Sequence, residues 1–151
     1  MKGEGPVRDG GVLEIAALLP DIALSEIGSG RPVALRPPIA EATILVGIHS
    51  AACRGCLAYL EELGPLEHEF RFWDARLLVT VPGGAPAAQV RFGRLLRDDG
   101  ERFSSRRRAA GLVADRYGQI FDLRRTGPRH DFPAPGELLE WLKYLGTLCP
   151  E

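Results

Sequence analysis

The stretch Ile44-Leu-Val-Gly-Ile-His-Ser-Ala-Ala-Cys53-Arg-Gly-Cys56-Leu-Ala-Tyr-Leu-Glu-Glu-Leu63 decides how this chain is read. Ile44 to Ile48 is apolar apart from Gly47, the composition of a strand covered on both faces. Leu57, Leu60 and Leu63 then recur at helical spacing, with Glu61 and Glu62 falling outside that stripe. Between the two patterns stand His49-Ser50-Ala51-Ala52 and a C-x-x-C pair, Cys53 and Cys56. The spacing predicts a strand, a turn, and a helix that starts at the cysteines. Inside a βαβ frame, that arrangement reads as a redox dithiol.

The chemistry follows from the spacing. A dithiol that cycles through a disulfide needs α-carbons within about 7 Å. Residues i and i+3 of one helical turn meet that requirement. A cysteine at a helix N-terminus also faces unsatisfied N–H groups and the positive end of the dipole, which favours thiolate over thiol. Cys53 is therefore expected as the exposed attacking thiolate and Cys56 as the buried resolving thiol, acting through a mixed disulfide. Arg54 and His49 are expected to add positive charge beside Cys53.

C-x-x-C is also half of a zinc site. The other donors are Cys149, His49, His68 and His130, and none of them repeats a ligand pair. The reading is thus a site without metal or cofactor. Cys149, next to Pro150, reads as a free thiol, with a resolving or intermolecular role as the alternative.

The totals fit one domain over residues 1–151, with a loose, Gly-rich and charged start at 1–10. Hydrophobic residues make up 45 % of the 151, enough for an ordinary core. Nineteen Lys and Arg against twenty Asp and Glu leave a net charge of −1. That balance gives no electrostatic case for nucleic acid or an anionic membrane as partner. No apolar leader region and no 18-residue apolar run are present, so the expected location is cytoplasmic. Three cysteines are too few for a disulfide-framed secreted fold.

The other elements are read outward from the cysteines. Upstream, Ile22 and Leu24, the turn Gly28-Ser29-Gly30, then Val33 and Leu35 predict a β-hairpin, while Val12 to Leu19 gives no clear period. Downstream, Gly64-Pro65 ends or kinks the helix, and Leu77 to Val81 predicts a second buried strand joined by a right-handed crossover. Pro82-Gly83-Gly84 follows as a loop at that strand's carboxyl end. A helix is predicted from Pro86 to about Arg97. Leu112 to Asp115 and Gln119 to Leu123 flank a turn and predict a second hairpin. The run Arg106-Arg107-Arg108 before it reads as a solvated face. A last helix begins near Pro135, with Leu138, Leu139, Trp141, Leu142 and Leu145 as its apolar face.

Laid end to end, these elements resemble the thioredoxin fold, in the peroxiredoxin-like (AhpC/TSA, redoxin) branch, over roughly residues 18 to 148. Pro20-Asp21-Ile22-Ala23-Leu24 through Gly30-Arg31-Pro32-Val33-Ala34-Leu35 resembles that branch's opening text. Val113-Ala-Asp115-Arg-Tyr-Gly118-Gln-Ile120 resembles its late hairpin. The cysteine surroundings differ from both parent patterns. Ala52 stands where thioredoxins carry Trp, Arg54-Gly55 where they carry Gly-Pro, and Ala109-Ala110-Gly111 where they place a cis-proline. Of the peroxiredoxin set, Ser50 fits the hydroxyl position, whereas Val46 replaces the proline and Ala110 the arginine, with Arg108 the nearest substitute.

The resemblance implies an α/β, three-layer thioredoxin-like fold, with a central mixed sheet flanked by helices and an N-terminal hairpin. It implies a thiol–disulfide oxidoreductase using Cys53 and Cys56, with a protein disulfide or a peroxide as substrate and a thiol as reductant; a homodimer is one assembly it admits. The alternatives are a thiol peroxidase with Cys53 as peroxidatic cysteine, and a non-catalytic module for partner binding or metal carriage.

Overall fold

The computed structural model describes residues 13–37, 41–50, 52–83, 90, 92–103, 105, 107–125 and 132–148. The elements run β1 (Ala23–Glu26), β2 (Pro32–Ala34), β3 (Ala42–Gly47), α1 (Arg54–Leu63), a 3₁₀ turn (Gly64–Leu66), α2 (Glu67–Phe72), β4 (Ala75–Pro82), β5 (Arg94–Asp98), β6 (Ala110–Ala114), β7 (Ile120–Arg125) and α3 (Pro135–Thr147). The strands form one seven-stranded sheet in the order β2-β1-β5-β4-β3-β6-β7. β3 pairs with β4 and β4 with β5 in parallel, and the other neighbours are antiparallel. The sheet is mixed, as expected.

Alternation along each strand sorts the side chains into two cores. Ile44, Val46, Leu77, Val79, Val81, Leu95 and Val113 point to one face. Leu45, Leu78, Leu96, Leu112 and Ala114 point to the other. β3 is buried at all six positions, because it lies between β4 and β6 and is covered above and below. The helix-period stripe read from the sequence does its part on the first face. Tyr59, Leu60 and Leu63 of α1, Phe70 of α2, and Leu138, Leu142 and Leu145 of α3 all enter that cluster.

The second face is covered differently. Among the described residues its cluster holds no helical side chain; Leu19, Val33, Leu35 and Phe103 close it from connecting segments and the hairpin. Polar side chains pin these covers. Arg76 donates to the carbonyl oxygens of Ala34 and Leu35 and to Thr43 Oγ1, tying β2 and its exit to β3 and β4. Arg36 Nε donates to Leu19 O at 2.6 Å. The fully buried Asp98 carboxylate accepts the backbone N–H groups of Arg102 (3.0 Å) and Phe103 (2.8 Å), which aims Phe103 inward. The segment left without a period by its sequence runs beside β7. Ala16 N–H donates to Ile120 O, and Ile120 N–H donates to Ala17 O.

Both hairpins form where the sequence predicts them. Gly28 (φ 104°) and Gly30 (φ 72°) supply the left-handed positions of the first turn. Pro65 has no N–H to donate, and the helix tightens there into the 3₁₀ turn before continuing as α2. Trp141 and Tyr144 of α3 meet Phe121 of β7 edge-to-face. One expectation fails. The helix predicted from Pro86 to about Arg97 is not the element found, because Arg94–Asp98 is β5. Its adjacent leucines must serve opposite faces, Leu95 the helix-covered core and Leu96 the other, which a helix cannot arrange. Residues 84–89 and 91, the start of that prediction, lie outside the described residues. No helix among the described residues is long and apolar enough to cross a membrane.

Candidate functional site

The crossover from β3 into α1 builds the site. After Gly47 the strand's last partner is Thr80, whose carbonyl accepts the Ile48 N–H at 2.9 Å. The chain then turns. Ser50 O accepts the Cys53 N–H at 3.2 Å, and Ser50 Oγ accepts the Ala52 N–H at 2.9 Å, the local bond that makes serine a turn residue. Cys53 is the N-cap of α1, in extended conformation, and its side chain makes no capping hydrogen bond. Its carbonyl accepts the first helical N–H, from Leu57, at 3.0 Å. The helix thus starts at the first cysteine, as the sequence predicts.

The two cysteines differ in environment. Cys53 is half-buried, whereas Cys56 is fully enclosed at 0 % exposure. Neither is in a disulfide. Burial pushes the Cys56 thiol up to about 12; backbone hydrogen bonding at His49 acts against this, and Cys53 adds to it through a side-chain hydrogen bond and its charge.

His49 lies within reach of both sulfurs. The sequence reading put its charge beside Cys53. The structure buries the ring, at 9 % exposure, with Nδ1 3.3 Å from Cys56 Sγ. Donor atoms of His49, Cys53 and Cys56 all lie within 4.8 Å of one another. Among the described residues, these three could hold a metal. His68 is exposed on α2, and His130 and Cys149 lie outside the described residues. Arg54 is exposed as the first residue of α1.

A layer behind the cysteines fixes the helix. Tyr59, one turn beyond Cys56, donates its hydroxyl to Pro133 O at 2.6 Å and stacks on Phe132 with centroids 4.4 Å apart. Burial pushes the Tyr59 phenol above its ordinary range. Phe132 and Pro133 in turn lie over Gly111, where an added Cβ would stand 3.1 Å from Pro133 Cδ. Nothing in the period of the sequence marks Tyr59 or Pro133 as neighbours, since 74 residues separate them. Ala109, at the position compared with the cis-proline, is buried in the same cluster as Cys56. Arg108, the nearest substitute for a peroxiredoxin arginine, is exposed, with its backbone paired to Ser105.

No protein-family model matches this sequence, and no curated protein matches it. Solved structures do resemble it. Peroxiredoxin Q of Xanthomonas campestris superposes with a TM-score of 0.66 at 16 % identity, covering 84 % of this chain and 93 % of that one. AhpC of Mycobacterium tuberculosis gives 0.66 at 12 % identity, over 92 % and 97 %. The pneumococcal exposed lipoprotein thioredoxin Etrx1 of Streptococcus pneumoniae gives 0.60 at 18 % identity, over 83 % and 99 %. The fold is the thioredoxin-like fold, shared by thioredoxin-like and peroxiredoxin structures, with a C-x-x-C pair at its first crossover helix.

Proposed function

We propose that this protein is a thiol–disulfide oxidoreductase working through Cys53 and Cys56. One observation carries the reading: a half-exposed thiol stands on the N-cap residue of α1, and a fully buried thiol follows one turn later with its sulfur within 4.8 Å. The roles follow from access. Cys53 Sγ, as thiolate, attacks one sulfur of a partner disulfide; that S–S bond breaks and the other partner sulfur leaves as a thiolate. Cys56 gives up its proton and attacks Cys53 Sγ in the mixed disulfide. The Cys53–Cys56 disulfide forms, and the partner leaves with both sulfurs reduced. Two electrons have passed from the dithiol to the partner, and an external thiol reductant restores the pair. The step calls for rotation about the Cα–Cβ bonds to carry the two sulfurs, within 4.8 Å in the reduced site, to bonding distance.

Reduction of insulin by dithiothreitol tests the reading. The protein is expected to accelerate it, and Cys53→Ser to remove the acceleration. Cys56→Ser is expected to accumulate a mixed disulfide that mass spectrometry detects. A wild-type protein with no acceleration and no redox-dependent change in thiol count would sink the proposal.

A second reading is peroxide reduction, favoured by the half-exposed Cys53 with Ser50 three residues before it. Here the Cys53 thiolate attacks the O–O bond and releases water or an alcohol, and Cys53 becomes a sulfenic acid. Cys56 condenses with it, losing water, to the same disulfide. Peroxide consumption no faster than that of free cysteine excludes this route and leaves the first one standing.

A further inference from the structure

The buried histidine is the part of the site that disulfide exchange does not use. We propose that the reduced protein also binds one monovalent copper ion, held by an imidazole nitrogen of His49 and the sulfurs of Cys53 and Cys56. This goes beyond the redox reading and does not depend on it.

The geometry is close to a ligand set already. Protein ligands bind such ions at roughly 2.3 Å through sulfur and 2.0–2.1 Å through nitrogen, to take the zinc values. Two donors of one ion at tetrahedral or trigonal angles then lie roughly 3.5–4 Å apart. His49 Nδ1 and Cys56 Sγ stand 3.3 Å apart, a few tenths of an ångström short of that spacing, and the whole trio lies within 4.8 Å. The remaining adjustment falls on Cys53, which is half-exposed at the amino end of α1.

The donor set decides the metal. Two thiolates and one imidazole are soft and borderline ligands, which select copper(I) or zinc and disfavour magnesium, calcium and manganese. Structural zinc takes four protein ligands, whereas the cluster found among the described residues supplies three. Three-coordination suits the monovalent ion. Charge agrees: the two thiols lose their protons to solvent on binding, and two thiolates with one Cu⁺ carry a net single negative charge. That charge sits at the amino end of the ten-residue helix α1, where the partial positive charge of about half a unit favours it. Apolar side chains of the helix-covered core surround Cys56, which keeps water from that side of the ion. Formation of the Cys53–Cys56 disulfide would consume both sulfur ligands, so the site exists in the reduced protein alone.

The test is an anaerobic titration of the full, reduced chain with copper(I), in competition with a chromogenic copper(I) chelator, in a Cys149→Ser background. One ion per chain is expected. Cys53→Ser and Cys56→Ser are each expected to weaken binding by about 100-fold or more, and His49→Phe by about tenfold or more, taking 10–100-fold as the scale for disturbing a metal site. X-ray absorption on the unaltered protein should show two sulfurs and one nitrogen around the ion. This readout stands even if His49→Phe fails to fold. A shell without nitrogen, tighter binding of zinc than of copper, or equal binding by the disulfide form would overturn the proposal. Thiol counting and insulin reduction on the same metal-free sample separate the two readings. Exchange without copper binding removes only the metal site, and copper binding without exchange removes only the oxidoreductase.

Discussion

The two faces of the sheet are built from the same strands and do different work. On one face, helices cover Ile44, Val46, Leu77 and Val79, and the first turn of α1 carries both cysteines. On the other, Leu45, Leu78, Leu96 and Leu112 lie under loops and a hairpin, held down by Arg36, Arg76 and Asp98. Beyond its first turn a helix satisfies its own backbone, so the first turn can present open N–H groups and side chains for chemistry at the edge of a core. A loop cover cannot, and the pins on that face answer backbone carbonyl and N–H groups of the covering segments. Activity and stability should therefore separate by face.

Substitutions can break that separation or sharpen it. Cys53→Ser is expected to have the largest effect, taking disulfide exchange to the uncatalysed rate while chemical denaturation shifts by no more than about 0.5 kcal/mol. A large loss of stability would show that the site turn also holds the fold. Leu78→Ala, on the loop-covered face, should do the reverse: about 3 kcal/mol of stability lost to the transfer and cavity terms, with the exchange rate per folded molecule kept in insulin assays. Arg76→Met should cost about 2 kcal/mol, because the carbonyls of Ala34 and Leu35 lose a charged donor. Amide hydrogen exchange should place the loss at β1 and β2. Tyr59→Phe belongs to the helix face and should be smallest, about 1 kcal/mol for the Pro133 carbonyl left without its donor. Kinetics should show slower exchange if the Tyr59 tether positions Cys56, and an unchanged rate if it only packs.

The sequence made legible what depends on neighbouring residues. The strand before the cysteines, the helix after them and the two hairpins are written in short periods and turn glycines, and all appear where expected. β5 was not legible, because in Arg94-Leu-Leu-Arg-Asp98 two adjacent leucines flanked by arginines fit a helix as well as a strand sunk in two cores. Only the neighbouring strands β1 and β4 decide between them. The site divides in the same way. The spacing and helical position of Cys53 and Cys56 come from sequence alone, as does the expectation that Cys56 is the buried one. The partner of His49 does not, since the turn at Ser50 determines which sulfur its ring meets. Nor does the packing of Tyr59 on Phe132 and Pro133, which requires α3 and its approach segment to be in place.

The strand order also sets a timetable. β1 and β2 come first in the chain, yet β1 docks on β5, which ends at Asp98. β3 in turn waits for β6, up to Ala114, before both its edges are paired. During vectorial synthesis the early hairpin and the cysteine strand would therefore emerge with open, hydrogen-bond-hungry edges. About 70 residues separate the hairpin from its sheet partner, so loop closure over that span must precede the contacts that reward it. The early dithiol consequently spends its first moments on a nascent chain without the core that later encloses Cys56, and a reducing environment at that stage would guard it from pairing with the wrong thiol.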